Sequence, residues 1–293
     1  MDEANTSLIR HDGNVGLFQA LEISVVSLLA GRPLHTHVQG VRGTGKTTIT
    51  RAARSLLPPI KRISGCLYNC DPRLPLCPAH AGKSPGEEEE WPVEEIATPF
   101  REISQSAKLG TVVGSLDLGR LTQQDGPSAA LLPGTVPQAN RGIVFVDEIN
   151  RLADTAPELT DVLLDVMGTK PGRVQIEEVG LPQVEMPVNL SVWAASNPDE
   201  EPGPLETIRR QLADRFDMTV EVSRPRDIKA IGAILALGRR HDGAGTAWSP
   251  SRGERDRLAA AARTASGIRV PDGIESLIAR LYSDFGLESL RAV

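Results

Sequence analysis

Apolar residues along this chain follow two regimes. Up to about residue 222, short apolar runs alternate with stretches of helical spacing; beyond Pro225 only helical spacing remains. Leu17, Phe18, Leu21, Val25, Leu28 and Leu29 predict a helix that stops near Gly31-Arg32-Pro33. Leu34 to Gln39 predicts a short buried strand, and Thr47 to Leu57 a helix ended by Pro58-Pro59. Ser64 to Pro99 is rich in loop residues and carries the acid run Glu87 to Glu90, so it is read as an excursion from the core. Phe100 to Ile103 predicts a strand, and Val112 to Gly142 an inserted loop or hairpin. Ile143 to Val146 predicts a buried strand. Leu159, Val162, Leu163 and Val166 mark an amphipathic helix. Arg173 to Glu178 and Gln183 to Val188 flank a Gly-Leu-Pro turn and predict a hairpin. Leu190 to Ala195 predicts a strand, Leu205 to Phe216 a helix and Met218 to Val222 a last strand. Three helices then follow, marked by Ile228 to Leu235, Arg255 to Thr264 and Ile274 to Phe285. This order predicts an α/β nucleotide-binding domain over residues 1–223 and a small all-helical lid over 224–293.

Composition narrows the class. The 293 residues are 40% apolar and 24% charged, as in an ordinary globular protein. With aromatics at 3%, the core must be built from Leu, Ile, Val and Ala. A net charge of -6 without a long basic run argues against nucleic acid as the main partner. Met1 to Leu8 lacks a signal-peptide pattern, and the longest apolar stretches, such as Ile23 to Ala30, are too short to span a bilayer. The expected compartment is therefore the cytoplasm. All three cysteines fall between Cys66 and Cys77, which in a reducing compartment suggests metal more than disulfide.

The candidate chemistry begins at Gly40-Val-Arg-Gly-Thr-Gly45-Lys46-Thr47, which satisfies G-x-x-x-x-G-K-[ST] without a departure. Gly40, Gly43 and Gly45 let backbone N–H groups face phosphates, and the following helix adds its positive end. Lys46 can reach the β and γ phosphates, and the Thr47 hydroxyl can ligate Mg²⁺. Thr44 and Thr48 complete the expected nucleotide contacts. The bland alternative, a Gly-rich turn, is disfavoured by a strand before the loop and a helix after it. Ile143-Val-Phe-Val-Asp147-Glu148 is the partner motif, with its acids at the C-terminal end of a buried strand. Asp147 is expected to hold Mg²⁺ through water, and Glu148 to polarise the attacking water. ATP and Mg²⁺ are thus the expected cofactors.

Two further residues carry open alternatives. Asn197, at the end of a strand, can help hold the water beside the γ-phosphate, or simply form a turn before Pro198. Arg215, in Gln211-Leu-Ala-Asp-Arg215-Phe216, can act as an arginine finger from a neighbouring subunit. Arg209 and Arg210 compete for that role, and a solvated surface charge is the bland reading for each.

The order of phosphate loop, Asp-Glu strand, Asn-ended strand, Leu-Ala-Asp-Arg-Phe and helical lid resembles an AAA+ ATPase. Gly40 to Thr47, Val113-Gly-Ser-Leu-Asp117, Ala139-Asn-Arg-Gly-Ile-Val-Phe-Val-Asp-Glu-Ile-Asn150, Leu163-Leu-Asp-Val166 and Ser196-Asn-Pro198 resemble the ATPase (I) subunit of magnesium chelatase, over nearly the whole chain. That resemblance implies a three-layer P-loop domain in which 112–142 is the helix 2 insertion and 173–188 the hairpin before the Asn strand. It implies a ring, expected to be a hexamer, with ATP between subunits and Arg215 as the finger. It suggests Arg291 as a nucleotide-sensing lid arginine, although family members continue with a further helix and this lid reads as shortened. Gly65-Cys66-Leu-Tyr-Asn-Cys70-Asp-Pro72 resembles a segment that in some relatives precedes two more cysteines. Here Cys66, Cys70, Cys77 and His80 offer a tetrahedral zinc set, with His80 as the departure. An iron–sulfur cluster fits that set less well. The alternative is three loop cysteines without metal. A second departure lies at Ile103 to Val112, where the family usually carries a Thr-Glu-Asp-Arg-like run.

These readings imply a motor that remodels a partner carrying a von Willebrand A domain, with metal insertion into a tetrapyrrole as one outcome. A MoxR-like chaperone for another client is the alternative. A nucleotide-dependent assembly switch and a DNA helicase are weaker alternatives, opposed by the intact hydrolysis residues and by the net acidity.

Overall fold

The computed structural model describes residues 8–82, 90–116, 131–177, 183–240, 248, 250–265, 267–269 and 271–286. Five short strands form one parallel sheet: β1 (Thr36–Gln39), β4 (Phe100–Ile103), β7 (Ile143–Val146), β10 (Ser191–Ser196) and β11 (Met218–Glu221). Their order is β11-β1-β10-β7-β4. β1 therefore sits between the two strands that come last in the chain, which makes it a topological switch point where open α/β sheets bind ligands. The register aligns Gln39 with Ser196 and Val146 with Ala194. The segments starting at Gly40, Asp147 and Asn197 thus leave the same edge of the sheet side by side.

Every residue of β7 and β10 is buried. Successive side chains of a strand point to opposite faces, so a strand covered on both sides reads as a continuous apolar run. Ile143 and Phe145 join one buried cluster with α1 (Val15–Leu29) and α2 (Lys46–Ala52). Val144 and Val146 join the other, with α5 (Ile149–Thr155) and α6 (Pro157–Gly168). The expected three layers are therefore present. Trp193 is fully buried in the sheet, and its indole N–H donates to Ser24 Oγ on α1 at 2.8 Å, so no polar atom of the ring is stranded.

Several expectations are refined. The helix after the phosphate loop is α-helical only to Ala52 and then tightens into a 3₁₀ turn, Ala53–Leu56. The expected helix over 205–216 is two single turns, α7 (Leu205–Ile208) and α8 (Arg210–Ala213), split where Arg209 adopts φ -146° and ψ 73°. The insertion contains α3 (Leu109–Val113), an antiparallel pair β5 (Gly114–Leu116) and β6 (Leu131–Pro133), and α4 (Thr135–Gln138). Asp117 lies outside the described residues. The 173–188 hairpin is present as β8 (Gly172–Ile176) and β9 (Val184–Val188).

The reading of 64–99 as an excursion from the core is corrected. The segment is closed at its base by the antiparallel pair β2 (Ile60–Ile63) and β3 (Val93–Ile96). Cys66, Tyr68, Cys70 and Cys77 are buried in the same cluster as Val144, Val146 and Val136. The loop composition conceals this because its apolar anchors are single residues rather than a periodic run. Glu87 to Glu89 lie outside the described residues.

Beyond Pro225, α9 (Ile228–Arg240), α10 (Arg252–Ala265) and α11 (Ile274–Asp284) follow the expected order. Only α10 is anchored among the described residues: Leu258 and Trp248 join the α1 cluster, and Trp248 meets Phe18 edge-on at 5.0 Å. Such a pair contributes about 0.5–1.5 kcal/mol beyond its area burial. Ile228 and Leu235 on α9, and Leu277 on α11, are exposed. Arg291 lies outside the described residues. No helix among the described residues is long and apolar enough to cross a membrane.

Candidate active site

The phosphate loop runs from Gly40 at the end of β1 into α2. Gly40, Gly43 and Gly45 have positive φ of 156°, 80° and 84°. At Gly40 the reason is also steric, because a Cβ would lie 2.2 Å from the Val222 carbonyl oxygen. At Gly43 a Cβ would meet nothing within 4 Å, so this side of the loop is an open cradle. Lys46 is buried, and its Nζ donates to the carbonyls of Gly40 and, at 2.9 Å, Val41. Burial lowers the Lys46 pKa, while Asp199, Asp147 and Glu200 pull it back up.

Thr47 and Asp147, a hundred residues apart, meet at the centre of the site. Thr47 Oγ1 donates to Asp147 Oδ1 at 3.1 Å, and the Glu148 N–H donates to the same oxygen at 3.1 Å. The other carboxylate oxygen lies 3.7 Å from Arg51, which also forks onto Glu102 at 3.0–3.1 Å. A hydroxyl and a carboxylate converging beside an open loop of N–H groups fit a Mg²⁺-bound triphosphate.

Glu148 caps α5 with φ 50°, a left-handed conformation rare outside glycine. That turn carries its carboxylate into a pocket of about 340 Å³ shared with Arg51, Glu102, Ser104, Gln105 and Asp147. There Glu148 Oε2 accepts from Gln105 Nε2 at 2.5 Å and pairs with Arg151 at 3.3 Å. Arg151 also reaches Glu200 at 3.6 Å, and Glu200 lies 3.9 Å from Arg42 in the phosphate loop. Asn197 follows β10 and is half-buried, and its carbonyl accepts from Asn150 Nδ2 at 3.3 Å. Behind this edge, buried His37 on β1 bonds Ser196 Oγ at 2.9 Å and stacks on Phe216 at 5.0 Å. Burial drives the His37 pKa down to about 4.

Lys46, Thr47, Asp147, Glu148 and Asn197 thus share one edge of the sheet. Arg215 does not share it. It precedes β11, whose first residue pairs with the first residue of β1, so it sits at the opposite end of the strands from the phosphate loop. Arg209 is engaged within the chain, 3.0 Å from Asp161. Gln105, Arg151, Glu200 and His37 belong to none of the sequence motifs. None of these four carries a local signal in the chain that marks it for the site.

Cys66, Cys70, Cys77 and His80 form a second centre. One ligand atom from each lies within 4.8 Å of the others, and all three cysteines are buried and free of disulfides. The thiols contact one another. Hydrogen bonds from Cys70 and Cys77 push the Cys66 pKa down, while Cys70 and Cys77 are pushed up by their contacts with Cys66 first.

No protein-family model matches the chain. Individual relatives do. It is 34% identical over 288 residues to the magnesium-chelatase 38 kDa subunit of Acidiphilium rubrum, covering 95% of this chain and 78% of that one. The chain belongs to the magnesium-chelatase 38 kDa subunit family. The Cereibacter sphaeroides 38 kDa subunit is 32% identical over 260 residues, covering 87% and 72% of the two chains. Among solved structures, a chain of the complex between subunits BchI and BchD of magnesium chelatase matches at TM-score 0.56 and 26% identity, covering 91% of this chain and 77% of that one. A putative ATPase from Cytophaga hutchinsonii shares the fold at TM-score 0.51 and 16% identity, covering 94% and 68%. This family member is accordingly an AAA+ ATPase, with ATP and Mg²⁺ as its cofactors.

Proposed function

We propose that this chain is a ring motor, hexameric in its working form, which hydrolyses ATP between subunits to remodel a partner carrying a von Willebrand A domain. The observation that carries the reading is the meeting of Thr47, Asp147 and Glu148 beside the open cradle of Gly43, with Lys46 in the same loop. Bound Mg²⁺ would supply charge neutralisation at the β and γ phosphates. Lys46 steadies those phosphates, Thr47 and Asp147 hold the ion's ligand shell in place, and Glu148 accepts the proton of the attacking water. Asn197 positions that water. Arg215, at the far end of its own strands, serves the site of a neighbouring subunit. The residue set of the nucleotide site is Gly40, Gly43, Thr44, Gly45, Lys46, Thr47, Thr48 and Asp147, and zinc belongs to the Cys–His cluster.

Metal insertion into a tetrapyrrole is the favoured outcome of this motor, supported by the likeness to a chain of the BchI–BchD complex. A MoxR-like client is the second reading, favoured by the departure at Ile103 to Val112. Purified full-length chain with Mg²⁺ is expected to release phosphate from ATP, and Lys46→Ala to lose both binding and turnover. Adding the magnesium-chelatase D and H subunits of the same cell is expected to give ATP-dependent Mg²⁺ insertion into protoporphyrin. ATPase stimulation by a von Willebrand A protein without insertion selects the MoxR-like reading, and the absence of any ATPase refutes both.

A further inference from the structure

The Cys–His cluster is lined by backbone hydrogen-bond donors. The backbone N–H groups of Cys70 and Tyr68 donate to the Cys66 sulfur. Those of Leu76 and Cys77 donate to the Cys70 sulfur, the latter at 3.4 Å. A tetrahedron with Zn–S of about 2.3 Å and Zn–N of about 2.0 Å has edges of roughly 3.5–3.8 Å. Cys66 and Cys77 sulfurs stand 3.9 Å apart, and His80 Nδ1 lies 3.1 Å from the Cys77 sulfur, so small adjustments close the shell. Trp91 meets the His80 ring edge-on at 4.9 Å and fixes its plane.

The loop that carries these ligands is fastened to one place in the motor. Asn69 Nδ2 donates to the Gln138 carbonyl at 2.7 Å, and Asn140 Nδ2 donates to the Tyr68 carbonyl at 3.0 Å. Asn140 is buried, and its Oδ1 accepts from the Asn189 N–H at 2.9 Å. Arg141 holds φ 65°, reaches the Lys61 carbonyl at 2.6 Å and Asp71 at 3.4 Å, and bonds Asn189 through its own N–H at 2.8 Å. Ile143 begins β7 two residues later, and Ser191 begins β10 two residues after Asn189. Both strands carry hydrolysis residues at their other ends.

We propose that Cys66, Cys70, Cys77 and His80 bind one zinc ion, and that the metal-closed knuckle clamps the junction of Asn140, Arg141 and Asn189 from which the Asp147 and Asn197 strands both start. The clamp rests on the zinc assignment and not on the identity of the client. The ion is structural: with four protein ligands it keeps no open position for substrate.

Metal analysis and hydrogen exchange on the full-length chain, purified under reducing conditions, test the two parts separately. Wild type is expected to carry about one zinc per chain, and Co²⁺ exchanged into it to give the intense visible bands of a tetrahedral thiolate site. His80→Cys keeps four donors and is expected to retain zinc, whereas Cys66→Ser and Cys77→Ser lose it. Zinc-free wild type, an iron–sulfur chromophore, or full zinc in both serine variants overturns the site. Stripping zinc from wild type with a chelator is expected to speed exchange about tenfold at the amides of Arg141, Ile143, Asn189 and Ser191, while Ile49 in α2 is unchanged. A zinc-bearing chain whose four amides do not respond overturns the clamp and leaves the site. Phosphate release by untreated wild type reports the motor reading independently of either result.

Discussion

Gln105 Nε2 donates to Glu148 Oε2 at 2.5 Å, so the residue assigned as the base is held by a neutral amide from the turn that follows the next strand. Arg151 shares the same oxygen at 3.3 Å. Both contacts occupy that oxygen, so it must exchange a protein donor for water before it can act on the attacking molecule. Gln105 has no charge of its own to contribute to catalysis.

Removing that restraint makes the first prediction. Gln105→Ala is expected to raise basal phosphate release by about tenfold or more, because a hydrogen bond to a charged group is worth at least roughly 1.5 kcal/mol and about 1.36 kcal/mol is a factor of ten. Glu148→Gln is expected to cut turnover by about 10²–10⁴-fold with ATP still bound. Steady-state phosphate release and titration with a fluorescent ATP analogue separate the two effects. A Gln105→Ala chain slower than wild type contradicts a restraining role.

A second prediction concerns Lys46 and nucleotide affinity. Its ammonium, partly dehydrated by burial, is held by the carbonyls of Gly40 and Val41. Those contacts keep it over the loop, ready for the stronger charge of a triphosphate. Lys46→Ala is expected to weaken ATP binding by about a hundredfold, the equivalent of roughly 2.7 kcal/mol. Lys46→Arg keeps the charge but not the compact head, and is expected to recover only part of the loss. Equal affinity of wild type and Lys46→Ala in calorimetric titration would remove the loop from nucleotide binding.

Arg215 supports a test in mixed rings. If it serves a neighbour's site, Glu148→Gln and Arg215→Ala subunits are each inactive alone, yet an interface pairing the Glu148 of one with the Arg215 of the other is intact. Mixing the two is expected to restore roughly a quarter of wild-type turnover, the share of such interfaces under random assembly. No recovery across mixing ratios, with ring formation verified by light scattering, refutes the trans assignment.

Much of this ATPase is legible in the chain because its signals are local. The phosphate loop needs glycines at set positions for positive φ, and a strand buried on both faces must be an apolar run, as in Ile143 to Val146. The illegible parts are assembled from distant single residues. Gln105 meets Glu148 only because β4 pairs with β7, and no spacing in the chain encodes that adjacency. The Cys-rich loop resembles an excursion for the same reason. Its anchors, Cys66, Tyr68, Asn69, Cys70 and Cys77, are scattered among turn residues, and Gln138 and Asn140, the partners of Asn69 and Tyr68, lie some seventy residues on. The break at Arg209 is hidden because Leu205 and Leu212 keep helical spacing across it.

Buried His37 supplies a pH dependence that is independent of turnover. Its pKa is about 4 in the folded chain against 6.5 for an ordinary histidine, because burial penalises the imidazolium more than Glu206 favours it. The unfolded chain therefore binds a proton between pH 6.5 and 4 that the folded chain refuses, and stability falls as pH drops through that window. Above pH 6.5 the contribution is constant. The full penalty approaches about 3 kcal/mol near pH 4, since each tenfold difference in proton affinity between the folded and unfolded chains is worth about 1.36 kcal/mol. His37 Nε2 bonds Ser196 Oγ at 2.9 Å and Nδ1 accepts from Gln39 Nε2 at 3.3 Å, so protonation at Nδ1 would break the Gln39 contact next to the phosphate loop. Urea midpoints measured from pH 7.5 down to pH 4.5 are expected to fall in wild type and to fall less steeply in His37→Gln, which keeps a polar side chain without a titrating proton. Parallel slopes for the two chains would show that His37 already accepts its proton in the folded state.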